Sequence, residues 1–195
     1  MKTSKYVLLT LVFVLLSGLG AGVMAQRKGS AALRLPPEPI GSVARVNAIE
    51  VTDGLAGFDS EKQETQFGYS FLGRTTGAFP GSFTLSMNCS PAIAVPGETT
   101  FLKGGSWTLP VYITEVKGGY AGSLYGTIAE GKMIWDKTGP SANVYIVLTI
   151  DGGTQSWSGV TGYATFTGTL TAGEKGQKTT LTGDMVFTYT NLTVE

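Results

Sequence analysis

The chain has 195 residues, with 14 basic and 14 acidic side chains, no histidine, one cysteine and 28 glycines. The lack of histidine excludes a Ser-His-Asp triad and a histidine-ligated metal, and a single cysteine excludes an intramolecular disulfide. The balanced charge lacks the basic footprint of a nucleic-acid-binding protein. We therefore expect no nucleic-acid partner, no metal and no cofactor.

The N-terminal segment has the pattern of a secretory signal peptide. Lys2 and Lys5 precede an apolar run, and Val23-Met24-Ala25 places small or apolar residues at a cleavage site. A retained membrane anchor is the alternative, although three glycines disfavour a stable helix there. We expect cleavage after residue 25 and a secreted, periplasmic or extracellular protein without stable membrane insertion. The mature chain then has 12 basic and 14 acidic side chains, a net charge of −2.

Residues 26–41 are predicted to be a flexible lead-in to the folded domain. Pro36, Pro37 and Pro39 cannot lie in a central strand or in the middle of a helix. From residue 42 to 195, threonine, valine, tyrosine and phenylalanine are abundant, and glycine recurs at short intervals. This composition predicts a single all-β domain.

The pattern of apolar and polar residues marks nine strand segments, which predicts a barrel of about eight strands. The segments, in chain order, are 42–51, 66–72, 81–89, 107–116, 122–129, 132–136, 143–150, 162–171 and 179–191. Segments 122–129 and 132–136 are predicted to form a tight hairpin around Glu130-Gly131. Segment 143–150 is apolar on both faces, which predicts the most central strand. Short connections after residue 117 favour a single antiparallel β-barrel, because closure removes exposed edges. A β-sandwich is the alternative.

One glycine-rich stretch, residues 151–166, resembles the strand-turn-strand signature of dirigent proteins and the allene oxide cyclase-like barrel. The matching positions are Gly152, Gly153, Thr154, Gly159 and Gly162, with a turn one residue longer before the aromatic Trp157. Residues 119–128 resemble an upstream strand of that family. Strands 105–109 and 163–170 are similar to those of secreted bacterial proteins of unknown function. The resemblance implies a barrel of about eight antiparallel strands, a cavity at one mouth and a homotrimer, but it assigns no active site.

The acidic residues fall mostly in predicted turns, and Glu50 and Asp184 are exceptions that fall inside strands. If the face of Asp184 lines a cavity, this residue is a candidate ligand contact or general base; otherwise it is a solvent-facing carboxylate among threonines. Asp151-Gly152-Gly153 fits a turn better than a calcium site, which needs about six to eight oxygen ligands. Cys89 shares its strand parity with apolar residues, which predicts a buried thiol; a reactive or intermolecular thiol is the alternative.

The aromatic residues are the stronger functional indication. Tyr112, Tyr125, Trp135 and Trp157 can form a pocket for a flat or apolar ligand, or stack on sugar rings, and core packing is the alternative for each. Trp157 differs from the others because it falls in a turn, where it either plugs a barrel end or is exposed for contact. With Asp184, these four are the predicted ligand-binding residues, and no catalytic residue is assigned.

The sequence thus predicts a secreted β-barrel that binds a small apolar or aromatic ligand without catalysing a reaction. A dirigent-like or cyclase-like enzyme that steers a reactive intermediate in the barrel cavity is one alternative, and it needs no histidine. An extracellular surface or matrix interaction protein is another. A cavity with a buried acid would favour the enzyme, and a packed barrel with exposed aromatics would favour the interaction protein.

Overall fold

A computed structural model describes residues 40–59, 64–90, 95–112, 119–173 and 177–190. These residues belong to the compact unit Leu35–Glu195. The predicted signal peptide and residues 26–39 of the predicted lead-in lie outside the described residues, while Ile40 and Gly41 already belong to the first strand. Within the described ranges, no helix combines the length and the apolar character needed to cross a membrane.

The described chain contains nine β-strands and one short 3₁₀ turn. In chain order the strands are β1 (Ile40–Asp59), β2 (Glu64–Gly77), β3 (Gly81–Ser90), β4 (Thr99–Tyr112), β5 (Tyr120–Trp135), β6 (Ser141–Ile150), β7 (Gly152–Gly153), β8 (Gly162–Thr171) and β9 (Thr180–Tyr189). The 3₁₀ turn is Gln155–Trp157, between β7 and β8.

Eight of these strands close into an antiparallel barrel. Neighbours around the wall follow the order β1-β2-β3-β4-β5-β6-β8-β9, and β9 pairs with β1 to complete the circle. The two-residue β7 is an extra strand that pairs with β5. The predicted antiparallel barrel is confirmed, and the sandwich alternative is wrong.

The predicted hairpin around Glu130-Gly131 is wrong, because both of its arms belong to the continuous strand β5. The strand pairs with β4 along both halves, from Gly122 to Ile134. The break in alternation that suggested a turn is a register shift between Ile128 and Glu130 against β6. Such a bulge adds one residue to a strand without reversing its direction.

Strand β6 is not more central than its neighbours, which corrects a second prediction. In a closed barrel every wall strand has one inner and one outer face, so apolar residues on both faces do not mean burial on both. Val144, Ile146 and Leu148 point inward and are buried, whereas Tyr145 points outward and is 39% exposed.

Alternate residues of the strands point inward and fill the middle of the barrel. The largest fully buried side chains there include Trp107, Phe71, Phe83, Phe166 and Phe187. Burial of each such side chain stabilises the fold by roughly 2–3 kcal/mol relative to leaving it exposed. Gly168 and Gly183 face each other across β8 and β9. A Cβ on Gly168 would lie 2.7 Å from Cζ of Phe166, so these glycines make room for that ring.

Candidate functional site

One end of the barrel is closed by an aromatic cluster. Phe79, in the turn after β2, lies 4.2 Å from Phe187 and 5.4 Å from Trp157 between ring centroids. Trp157 also meets Tyr189 edge-on at 6.2 Å. Val160 completes this closed end, and all five side chains are buried. Trp157 therefore plugs a barrel end, which confirms one of the two placements expected for it.

The two glycines before the 3₁₀ turn allow this plug to fold over the barrel. A Cβ on Gly153 would lie 2.5 Å from Cβ of Trp157, so only glycine leaves room for the indole on the inner side. On the outer side, a Cβ on Gly152 would lie 2.6 Å from the hydroxyl of Tyr125. Thr154 fastens the segment to β5, because its hydroxyl accepts a hydrogen bond of 2.9 Å from the Ser123 amide.

The opposite end, which we call the mouth, is lined by polar as well as apolar groups. Its defining residues are Glu50, Tyr69, Cys89, Thr100 and Trp135. Glu50 is 7% exposed, Thr100 and Trp135 are also buried, and Tyr69 is half-buried against the core. Burial of a carboxyl group is costly unless polar partners surround it. The mouth is therefore chemically different from the aromatic closed end.

Glu50 lies where β1 and β2 leave the barrel wall as a two-stranded ribbon. The pairing of β1 with β9 ends at Ile49 and Thr180, and the Glu50 amide then donates a hydrogen bond of 2.8 Å to the Thr179 carbonyl. Pairing of β1 with β2 continues to Asp59, with register shifts directly after Glu50. The carboxyl group thus sits at the rim, where the wall opens.

The mouth groups influence one another electrostatically. Burial, together with the charges of Cys89 and Glu50, raises the pKa of the Tyr69 phenol. Burial raises the pKa of the Cys89 thiol to about 12. Both groups are protonated near neutral pH even at their ordinary pKa values, and the shifts extend this to more alkaline solution, so both can donate hydrogen bonds. The indole of Trp135 donates a hydrogen bond of 3.0 Å to the Thr100 hydroxyl across β4 and β5.

The five predicted ligand-binding residues do not come together. Trp135 lies at the mouth and Trp157 at the closed end. Tyr112 and Tyr125 point outward from the wall and are 46% and 43% exposed. Asp184 also lies on the outer wall, where it forms an ion pair of 3.2 Å with Arg45. A shared pocket for all five is therefore absent from the described structure, while a ligand contact by any one of them stays a prediction.

The sequence did not indicate Tyr69 as a site residue. It assigned Glu50 to a strand but did not predict which face of the strand its side chain is on. A signal for Glu50 was present, because it has the parity of Ala44, Val46 and Ala48, all of which point inward. For Tyr69 the signal was its two-residue spacing from Phe71, whose ring stacks on it at 6.3 Å. The prediction of a buried Cys89 is confirmed.

Comparisons with known proteins find no matching family model, curated protein or solved structure. The class that the fold defines is therefore the closed eight-stranded antiparallel β-barrel with one extra strand. Among the described residues, no group of three or more histidine, cysteine or acidic side chains is arranged to hold a metal ion.

Proposed function

We propose that this protein is a secreted β-barrel that binds a small apolar or aromatic ligand at its mouth. The observation that supports this proposal is the asymmetry between the two ends. Aromatic side chains, including the phenol of Tyr189, close one end, whereas the buried carboxyl group of Glu50 lies at the other, with the half-buried Tyr69. Small-molecule sites are typically clefts lined by apolar and aromatic side chains with a few well-placed polar groups, and the mouth residues have this composition.

The mouth residues divide into two roles. The half-buried ring of Tyr69 offers apolar surface to a flat ligand, and the buried Trp135 is the nearby indole of the mouth. Glu50 accepts hydrogen bonds, and because a carboxylate has about four lone-pair sites, it accepts one from a ligand in addition to a protein partner. Large side chains occupy the middle of the described interior, including Trp107 and Phe83. The ligand therefore binds at the rim, beside the β1–β2 ribbon, and not deep in the barrel.

The test is a titration of residues 26–195 with N-phenylnaphthylamine, a neutral aromatic amine with one N–H donor whose fluorescence rises in apolar surroundings. We expect saturable binding of one probe per chain. Glu50→Gln should weaken binding roughly tenfold, since a hydrogen bond to a charged acceptor contributes more than one to a neutral acceptor. Glu130→Gln is the matched control, because Glu130 is an exposed glutamate of β5.

Two results would count against the proposal. One is a folded protein that binds no probe in a saturable manner. The other is an equal effect of the Glu50 and Glu130 variants. Tyr69→Phe, which keeps the ring and removes the hydroxyl, serves as a second mouth variant if Glu50→Gln alters the circular dichroism spectrum.

The dirigent-like or cyclase-like enzyme is the second candidate, and the carboxyl group of Glu50 beside the phenol of Tyr69 favours it. Such a pair suits proton transfer to or from a bound intermediate. A reaction inside the barrel would, however, need a chamber, and the large side chains in the middle of the described interior occupy that space. We therefore favour binding over catalysis.

A further inference from the structure

A second candidate site lies on the outer wall of the barrel. It is next to the closed end, at the opposite end of the barrel axis from the mouth. A groove of about 690 Å³ runs across the ends of β6, β8 and β9. It is lined by Thr149, Ile150, Asp151, Thr161, Gly162, Tyr163, Thr188, Tyr189 and Thr190. Its volume is within the range of about 300–1,000 Å³ that small-molecule sites occupy.

Tyr163 presents an aromatic face in this groove. At 58% exposure, it is the most exposed of the large hydrophobic side chains that the structure describes. In register, Tyr163 lies between Thr149 on β6 and Thr188 on β9. Side chains that are directly opposite on neighbouring strands have Cβ atoms about 4.5–5.5 Å apart. Threonine side chains therefore flank the ring on both sides. The Thr149 hydroxyl is hydrogen-bonded to the Thr127 hydroxyl at 2.8 Å, so the side facing Thr188 is the better placed for a ligand.

Asp151 adds a carboxylate at the end of β6. Its amide donates a hydrogen bond of 3.0 Å to the Tyr125 carbonyl, which fixes the backbone at the point where β6 ends. Gly152 follows directly and packs against the ring of Tyr125, which is 43% exposed on the outer wall. Tyr163 and Asp151 thus share the groove, and Tyr125, which is outside its lining, adjoins Asp151 through the backbone.

We propose that this groove binds a neutral saccharide. A pyranose ring has an apolar C–H face, which stacks on an aromatic ring, and hydroxyl groups, which donate to a carboxylate and exchange hydrogen bonds with threonine hydroxyls. The one charged side chain among the residues lining the groove is Asp151, and its charge disfavours acidic saccharides. This inference goes beyond the mouth site and does not depend on it.

The test is affinity electrophoresis of residues 26–195 through native gels that contain soluble polysaccharides. Hydroxyethyl cellulose, soluble starch and galactomannan are the neutral probes, and polygalacturonate is the charged comparison. We expect retardation by at least one neutral polysaccharide. Tyr163→Ala should raise its apparent dissociation constant roughly fivefold to tenfold, as expected for loss of an aromatic contact. Asp151→Asn should weaken binding in the same direction.

Tyr145→Ala is the matched control, since Tyr145 is an exposed tyrosine of the same wall that does not line the groove. It should leave the retardation unchanged, and so should Glu50→Gln at the mouth. The inference is overturned if no neutral polysaccharide retards the protein, if polygalacturonate retards it as strongly, or if Tyr145→Ala has the same effect as Tyr163→Ala. A Glu50→Gln protein that binds N-phenylnaphthylamine more weakly but is retarded by polysaccharide as before would show that the mouth and the groove are independent sites.

Discussion

The buried thiol of Cys89 predicts a loss of stability in alkaline solution that alanine at the same position should remove. Burial raises the thiol pKa from 9.0 to about 12 in the folded protein. Between these values the unfolded chain has released a proton that the folded protein still holds. The free energy of unfolding therefore decreases as pH rises above the unfolded pKa, by up to about 1.4 kcal/mol per pH unit.

The magnitude follows from the two pKa values. Between about pH 8 and about pH 10, Cys89 alone should remove roughly 1.4 kcal/mol from the free energy of unfolding. Tyr69 and Tyr189, whose pKa values burial also raises, contribute in the same direction in both chains. The Tyr189 contribution cancels when the pH-induced loss of the Cys89→Ala variant is subtracted from that of the unmodified protein, and the Tyr69 contribution cancels except for the part that Cys89 causes.

The assay is urea-induced unfolding of both chains at these two pH values, followed by tryptophan fluorescence. The unmodified protein should lose roughly 1.4 kcal/mol more than the variant. A second measurement is the rate at which a thiol reagent modifies Cys89 near pH 8. It should be roughly a thousandfold slower in the folded protein than in urea, because the thiolate is that much rarer. Equal pH dependence in the two chains, together with fast native labelling, would refute a dry environment for this thiol.

Two further predictions concern packing and hydrogen bonding. Gly126→Ala should destabilise the protein by about 3 kcal/mol, because the new methyl group would overlap the Thr149 carbonyl oxygen. Gly139→Ala, whose Cβ would have ordinary contacts with its neighbours, is the control and should change the unfolding midpoint little. Trp135→Phe and Thr100→Val each break the hydrogen bond between these residues, so a double-mutant cycle should give a coupling energy of about 1 kcal/mol. Additive effects would show that this hydrogen bond does not stabilise the fold.

The sequence predicted the barrel because the alternation of residue types within a strand and the lengths of the connections between strands can both be read from short stretches of the chain. Alternation along β3 placed Phe83, Leu85, Met87 and Cys89 on one face, and all four are buried. Short connections in the second half of the chain implied antiparallel neighbours, and apart from the predicted hairpin at Glu130-Gly131 the later strands do pair antiparallel. The error at Glu130-Gly131 arose because a bulge and a tight turn interrupt the alternation in the same way, and only the pairing with β4 distinguishes them.

The mouth could not be predicted as a site because it depends on long-range register. Glu50 and Cys89 come together only through the ladders that join β1 to β2 and β2 to β3. Aromatic residue type alone also could not separate Trp135, which is buried inside the barrel, from Tyr112, which is exposed on its outer wall.

The matching glycines of the family resemblance have a packing explanation in this chain. Gly152 accommodates the ring of Tyr125, and Gly153 accommodates Trp157. In this chain a segment that packs between an outer tyrosine and an inner tryptophan needs glycine at both positions. The two glycines are therefore explained by packing in this barrel, which is the part of the resemblance that the structure supports.

The three tryptophans provide the most direct test of binding at the mouth, because they lie at three levels of the barrel. The indole of Trp135 lies at the mouth, that of Trp107 donates to the Thr149 carbonyl at 2.8 Å in the middle, and that of Trp157 lies in the closed end without a hydrogen-bond partner among the described residues. A nitrogen-15 spectrum should therefore show three separate indole signals, assigned by single Trp→Phe variants. Titration with N-phenylnaphthylamine should shift the Trp135 signal and leave that of Trp157 in place. A shift at Trp157 with none at Trp135 would contradict the account.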